Sequence, residues 1–206
     1  MNAIPAWRLV APYVVWMLLM AFLPREAWAY AVRTAVTLAA LAVCMKGDFV
    51  KKGLTNFDKM KILISVIAGL AVCVIWIAPD NLEWYRRLFV FGEASGEAVS
   101  PYDPEVCAWP LTIARLLGSA FVISIAEELF FRKWLMRWLG GGAQAFFWMC
   151  ALFAIEHDRW LAGAIAGAAY GILALRYGIA SAIAAHATTN FALGVYVITR
   201  HAWAFW

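Results

Sequence analysis

Seven apolar runs succeed one another along the chain, at residues 8–24, 28–45, 62–78, 110–139, 143–157, 160–175 and 179–199. A helix crosses the hydrocarbon of a bilayer with about 20 apolar residues, and about 17 is the lower limit. The pattern therefore predicts an all-α fold: a polytopic transmembrane helix bundle of about seven spans. Few charges separate the runs between 143 and 175, so six to eight spans fit the pattern. The whole of 1–206 reads as a single integral membrane domain.

Composition supports this and excludes other classes. The chain is 65% hydrophobic and 15% charged, whereas a soluble domain is about half apolar and about a quarter charged. The excess recurs in long runs, which excludes a single buried core helix. The net charge is only +4, and no base-stacking aromatics are set among Lys and Arg, so nucleic acid is not a partner. Cys44, Cys73 and Cys150 fall inside apolar runs, Cys107 falls in a loop, and no CxxC spacing occurs. Packing roles are expected of all four rather than a disulfide framework. Only Arg8 precedes the first run and Pro24-Arg25 follows it, without an A-x-A-like cleavage site. That span is expected to be retained.

Charge orients the bundle. Segment 46–61 carries Lys46, Lys51, Lys52, Lys59 and Lys61 against Asp48 and Asp58, a balance of +3. Segment 79–109 carries Asp80, Glu83, Glu93, Glu97, Asp103 and Glu105 against Arg86 and Arg87, a balance of −4. Five Lys and Arg against two put 46–61 in the cytoplasm and 79–109 outside. Lys133 and Arg137 then end the fourth helix inside. With seven spans the N-terminus is cytoplasmic and the C-terminus outside, in a cell inner membrane. The sixth run carries glycines at 163, 167 and 171, a small-residue stripe that lets another helix approach closely.

A few polar residues break these runs. Residues 126–134 read AEELFFRKW. Glu128 and Arg132 stand at i and i+4 and can pair on one helix face, while Glu127 points about 100° away. An unpaired charge at a helix centre costs at least about 3 kcal/mol on insertion scales. Glu128 and Arg132 thus have a structural explanation, and Glu127 has none. FAIEH at 153–157 adds His157, and HATTN at 186–190 puts His186 and Asn190 one turn apart. A single intramembrane His or Asn is explained equally well by interhelical hydrogen bonding. Three such sites in the last 80 residues favour function.

Depth counting tests their convergence. With the turn at Gly140-Gly141-Gly142 as a mirror, Glu127 lies 14 residues before Gly141 and His157 lies 16 after it. Their depths then differ by about 3 Å, so they can face each other. Counted from Tyr177-Gly178, His186 is only about two and a half turns into its helix and shallower than His157.

A carboxylate and a neutral imidazole facing one another can hold a water, with the carboxylate as general base. A second imidazole and an amide on one turn are donors suited to an oxyanion. Together these describe amide hydrolysis without a covalent intermediate. HExxH and a GxGD-type aspartyl pair are absent, and Gly118-Ser119 lacks a surrounding glycine pattern, so it reads as packing. Residue type alone leaves a Glu/His/His metal site open, although Asn190 is a poor zinc ligand. The reading calls for no metal and no cofactor.

EELFFR, FAIEH and HATTN resemble the EExxxR, FxxxH and HxxxN motifs of the CAAX-protease and bacteriocin-processing family, the intramembrane glutamic endopeptidases. The three motifs occur in order within 110–198, the segment expected to form the catalytic core, with 1–109 as accessory spans and loops. The resemblance implies that Glu127 activates water with His157 and that His186 and Asn190 form the oxyanion site. Arg132 becomes the motif arginine that orients the glutamates, beside Glu128. YDPEVCAWPLTIARLLGSAF and NFALGVYVITRHAWAFW are most similar to the bacterial subgroup that accompanies exosortase. The implied partners are a membrane-anchored protein or peptide substrate, the lipid bilayer and exosortase-system proteins; a prenylated substrate does not follow. Glu156, beside His157, reads as a helix end at the interface, or else as a further carboxylate in the cavity.

Two other readings use the same residues. One is a non-catalytic binding, scaffold or immunity-type membrane protein. The other is a proton-coupled carrier, against which stands the lack of an internal repeat of spans.

Overall fold

Each apolar run folds as one helix, and local signals set where it starts and stops. The computed structural model describes residues 4–46, 58–91 and 100–206. Helix α1 (Ala6–Phe22) starts after Pro5, and Pro12 within it removes one N–H from the ladder. In α2 (Ala27–Cys44) the Arg33 guanidinium reaches back to the carbonyls of Leu19, Leu23 and Pro24. It fills acceptors that the end of α1 leaves unpaired. That explains a cation only 2% exposed within an apolar run.

Helix α3 (Lys59–Asn81) starts three residues before its apolar run because the Asp58 side chain accepts from Met60 N at 2.9 Å. Two short helices, α4 (Glu83–Phe89) and α5 (Pro104–Cys107), occupy parts of the segment read from sequence as a loop. Then follow α6 (Trp109–Trp138), α7 (Gly142–Ile155), α8 (Trp160–Tyr177) and α9 (Ile179–Arg200). Gly140, Gly141 and Gly142 make the α6–α7 turn with φ of 90°, 72° and 77°, a region that glycine enters without a Cβ clash.

α2, α3, α6, α8 and α9 are long and apolar enough to cross a membrane, and α1 and α7 are shorter apolar helices. These seven coincide with the seven runs to within three residues at each end. No strand occurs among the described residues. Phe22, Val74 and Leu175 are more than 60% exposed, as side chains turned toward lipid are. The chain is an all-α membrane helix bundle. Asp48, Lys51, Lys52, Glu93 and Glu97, which entered the charge reading, lie outside the described residues.

Helices α6 and α9 occupy the middle. α9 packs on α3, α8 and α6, α1 and α2 pair and cover α6, and α7 pairs with α8. The glycine stripe of α8 is the α7 contact: a Cβ on Gly163 would stand 3.2 Å from Ala154 Cα, and one on Gly167 3.3 Å from the Phe153 ring. Gly69 plays the same part between α3 and α9, where a Cβ would meet the Ala185 carbonyl oxygen and stand 2.8 Å from Thr188 Cβ.

Candidate active site

The two carboxylates sit on α6, whose backbone is not uniform. Ser124–Glu128 is α-helical and lies between two π-helical stretches, Gly118–Ile123 and Leu129–Leu135. A π turn bonds i to i+5 and is frequent at functional sites. Here the widened turn presents the Ser119 carbonyl to side chains. Ser124 Oγ donates to it at 3.2 Å, and Asn190 Nδ2 of α9 donates to it at 3.0 Å and to Ser124 Oγ at 3.2 Å. The sequence reads Ser119 as packing; its backbone is what ties α9 to α6.

Glu128 anchors the cluster. Its Oε1 lies 3.0 Å from an Arg132 guanidinium nitrogen and 2.9 Å from His186 Nδ1, with both carboxylate and guanidinium side chains fully enclosed. A carboxylate paired with arginine accepts, so His186 Nδ1 carries the hydrogen and its Nε2 presents a lone pair. Arg132 donates a further bond to Gly167 O at 3.3 Å and stands 4.2 Å from the Phe153 ring centroid. The i,i+4 pair expected from sequence is present, with His186 as a third member.

Glu127 Oε2 lies 3.7 Å from His186 Nε2, beyond hydrogen-bond length. It is buried and has no hydrogen-bond partner. Two acceptors at that separation can each receive one hydrogen of a single water. His157 makes other bonds: it follows the last turn of α7, its Nδ1 donates to Phe153 O at 2.8 Å, and its ring lies edge-on to Trp76 at 5.3 Å. Among the described residues no hydrogen bond or ion pair joins His157 to Glu127.

Sequence counting and geometry differ here for a physical reason. The count gave α6 a constant rise and took α7 as its mate. A π turn advances less per residue, and α7 packs chiefly on α8, reaching α6 through Phe153 against Phe131 and Arg132. The helix that meets Glu127 is α9, despite the shallower depth counted for His186.

A cavity of about 160 Å³ adjoins the cluster, and its walls include His157, His186, Asn190, Trp76, Arg115 and Ser119. His186 is shared between its wall and the contact with Glu127. Glu156 is not in its wall: its carboxylate accepts from Tyr13 OH of α1, whose ring stacks on Phe130 at 4.3 Å. Among the described residues no group of three His, Cys, Asp or Glu side chains is arranged as a metal site.

Two further residues were not singled out from sequence. The Tyr170 ring stacks on His186 at 4.7 Å, and its hydroxyl donates to Thr189 Oγ1 at 2.7 Å, which in turn donates to Gly69 O at 2.8 Å. This chain links α8, α9 and α3 behind the imidazole; a hydroxyl-bearing ring in the middle of a Gly/Ala-rich helix was the signal available. Arg115 stands 4.2 Å from the Tyr30 ring centroid and 4.9 Å from that of Tyr102. Its place in an apolar run was the signal.

Residues 109–192 match the family model Rce1-like, described as type II CAAX prenyl endopeptidase Rce1-like. No curated protein and no solved structure matches the chain. The matched segment contains all three motifs and is similar to type II CAAX prenyl endopeptidases over that length.

Proposed function

We propose that this chain is an intramembrane endopeptidase that hydrolyses a peptide bond in a membrane-anchored protein or peptide, with a glutamate-activated water and no covalent intermediate. The observation that carries the reading is the buried, unpartnered Glu127 Oε2 at 3.7 Å from His186 Nε2. A water donating one hydrogen to each acceptor turns its oxygen lone pairs outward, toward a substrate carbonyl. Glu127 takes a proton as the oxygen attacks, and the tetrahedral oxyanion forms. The C–N bond then breaks, the hydroxyl stays on the acyl carbon, and the proton passes from Glu127 to the leaving amine.

Glu128 and Arg132 are positioning residues in this scheme. Glu128 holds the His186 tautomer, and Arg132 neutralises Glu128. His157 contributes a lone pair to the cavity wall for a substrate N–H. The family resemblance assigns His186 and Asn190 to the oxyanion. The hydrogen bonds favour another division, because the His186 Nδ1–H goes to Glu128 and the Asn190 amide goes to Ser119 and Ser124. Asn190 serves the oxyanion by releasing Ser124 Oγ. The similarity of the segments around 101–120 and 190–206 to exosortase-associated proteins suggests a bacterial inner-membrane setting and a substrate in that sorting system.

The same engaged donors favour a second reading, a non-catalytic binding or scaffold protein. The test compares membrane proteomes of a deletion strain complemented with wild type or with Glu127→Gln. A defined new terminus that appears with wild type and not with Glu127→Gln supports the protease. Identical termini in both, different from the empty strain, support the scaffold and end the glutamate mechanism.

A further inference from the structure

The two ends of the bundle differ in charge, and the cavity belongs to one of them. At the end where α6 and α8 stop and α3, α7 and α9 begin, the described cations are Arg8, Lys46, Lys59, Lys61, Lys133, Arg137 and Arg176, with Asp58 as the one described acid. The sequence between Lys46 and Asp58 adds Lys51, Lys52 and Asp48. The opposite end has no described lysine. Its arginines are Arg25, Arg86, Arg87, Arg159 and Arg200 together with the helix-embedded Arg33 and Arg115, and they are matched by Glu26, Asp80, Glu83, Asp103, Glu105, Glu156 and Asp158. Arg159 there is held by both oxygens of Asp80 at 2.8 and 3.1 Å, and Arg87 pairs with Glu83. Cytoplasmic ends carry the excess of Lys and Arg, so the first end is cytoplasmic.

The cavity extends toward the other end. Along α9 its wall runs from His186 through Asn190 to Leu193, away from the start of that helix at Ile179. That is a rise of about 10 Å. Trp76 lies near the end of α3, Arg115 and Ser119 near the start of α6, and His157 just past α7, all on the side without described lysines. Toward the basic end α6 is closed, with Leu129, Phe131, Arg132 and Leu135 each 6% exposed or less.

We infer that the cavity beside His186 opens to the extracytoplasmic face of the membrane. The peptide it admits is then a segment already translocated, or the outer-leaflet end of a membrane anchor. The word peptide rests on the protease reading; the direction of opening does not.

The test is cysteine labelling with a membrane-impermeant sulfonated maleimide in a background lacking Cys44, Cys73, Cys107 and Cys150. Three reporters are compared in spheroplasts and in inverted vesicles: Glu105→Cys at the end without described lysines, Arg137→Cys at the basic end, and Ser119→Cys in the cavity. Leu193→Cys is a second cavity reporter should Ser119→Cys fail to fold. The expected result is labelling of Glu105→Cys and both cavity reporters in spheroplasts, and of Arg137→Cys after inversion alone. Cavity labelling that follows Arg137→Cys overturns the direction of opening. Glu105→Cys labelling after inversion alone overturns the orientation. Cavity reporters silent on both sides overturn the opening itself. Repeating the set on Glu127→Gln leaves each pattern unchanged, so failure of the catalytic reading is seen separately in the proteome comparison.

Discussion

Replacing Glu127 and Glu128 in turn by glutamine separates catalysis from stability. Glu128 and Arg132 are enclosed side by side at 3.0 Å, and glutamine at 128 leaves the guanidinium as an uncompensated buried charge. Breaking a buried pair in this way costs about 3–5 kcal/mol. For a chain of this length that is a fall in Tm of about 6–20 °C. The His186 Nδ1–H keeps an acceptor in the glutamine oxygen, so turnover of the folded fraction falls less. Glu127 has an unpartnered oxygen and no arginine of its own, so glutamine there leaves Tm unchanged or raises it. Loss of a general base lowers kcat by about 10²–10⁴-fold. The double variant Glu128→Gln, Arg132→Met removes both charges and recovers most of the lost Tm. Tm is read by intrinsic fluorescence in detergent, and turnover in proteoliposomes on the substrate identified by its shifted terminus. Full loss of turnover in folded Glu128→Gln, with Glu127→Gln active, refutes the division of roles.

Substitutions at three further positions probe the support of the site. Gly69→Ala puts a Cβ against the Ala185 carbonyl and forces α3 off α9; a loss of about 1–3 kcal/mol is expected, read as a lower Tm with a parallel fall in activity. Tyr170→Phe removes one hydroxyl bond to Thr189 and keeps the ring on His186, so stability falls by about 0.5–1.5 kcal/mol, read as a lower Tm, with kcat within twofold, whereas Tyr170→Leu lowers kcat beyond what the unfolded fraction explains. Asn190→Ala removes both bonds to Ser119 and Ser124; loss of activity with a Tm lowered by no more than Tyr170→Phe supports a role toward substrate, and a larger Tm loss with folded-state activity intact assigns Asn190 to packing alone.

The bundle itself was legible in the sequence because partition between water and lipid acts on each run separately. The seven runs became seven helices, and the caps and turns that ended them, Asp58 and Gly140 to Gly142, are short-range features. The Glu128–Arg132 pair was legible for the same reason, since i and i+4 meet within one helix. The glycine stripe of α8 was readable as a close contact, though not as a contact with α7. Partners across helices were not readable. His186 meets Glu127 and Glu128 because α9 is drawn onto α6 through the Ser119 carbonyl and onto α3 through Gly69, and because π turns in α6 alter its rise and facing. Rotation and depth of one helix against another are set by side-chain packing summed over the whole contact, which no residue count along a single helix contains. The same holds for the cavity: its residues come from five helices, the link after α7 and the C-terminal segment after α9, and only their packing decides which end of the bundle it faces.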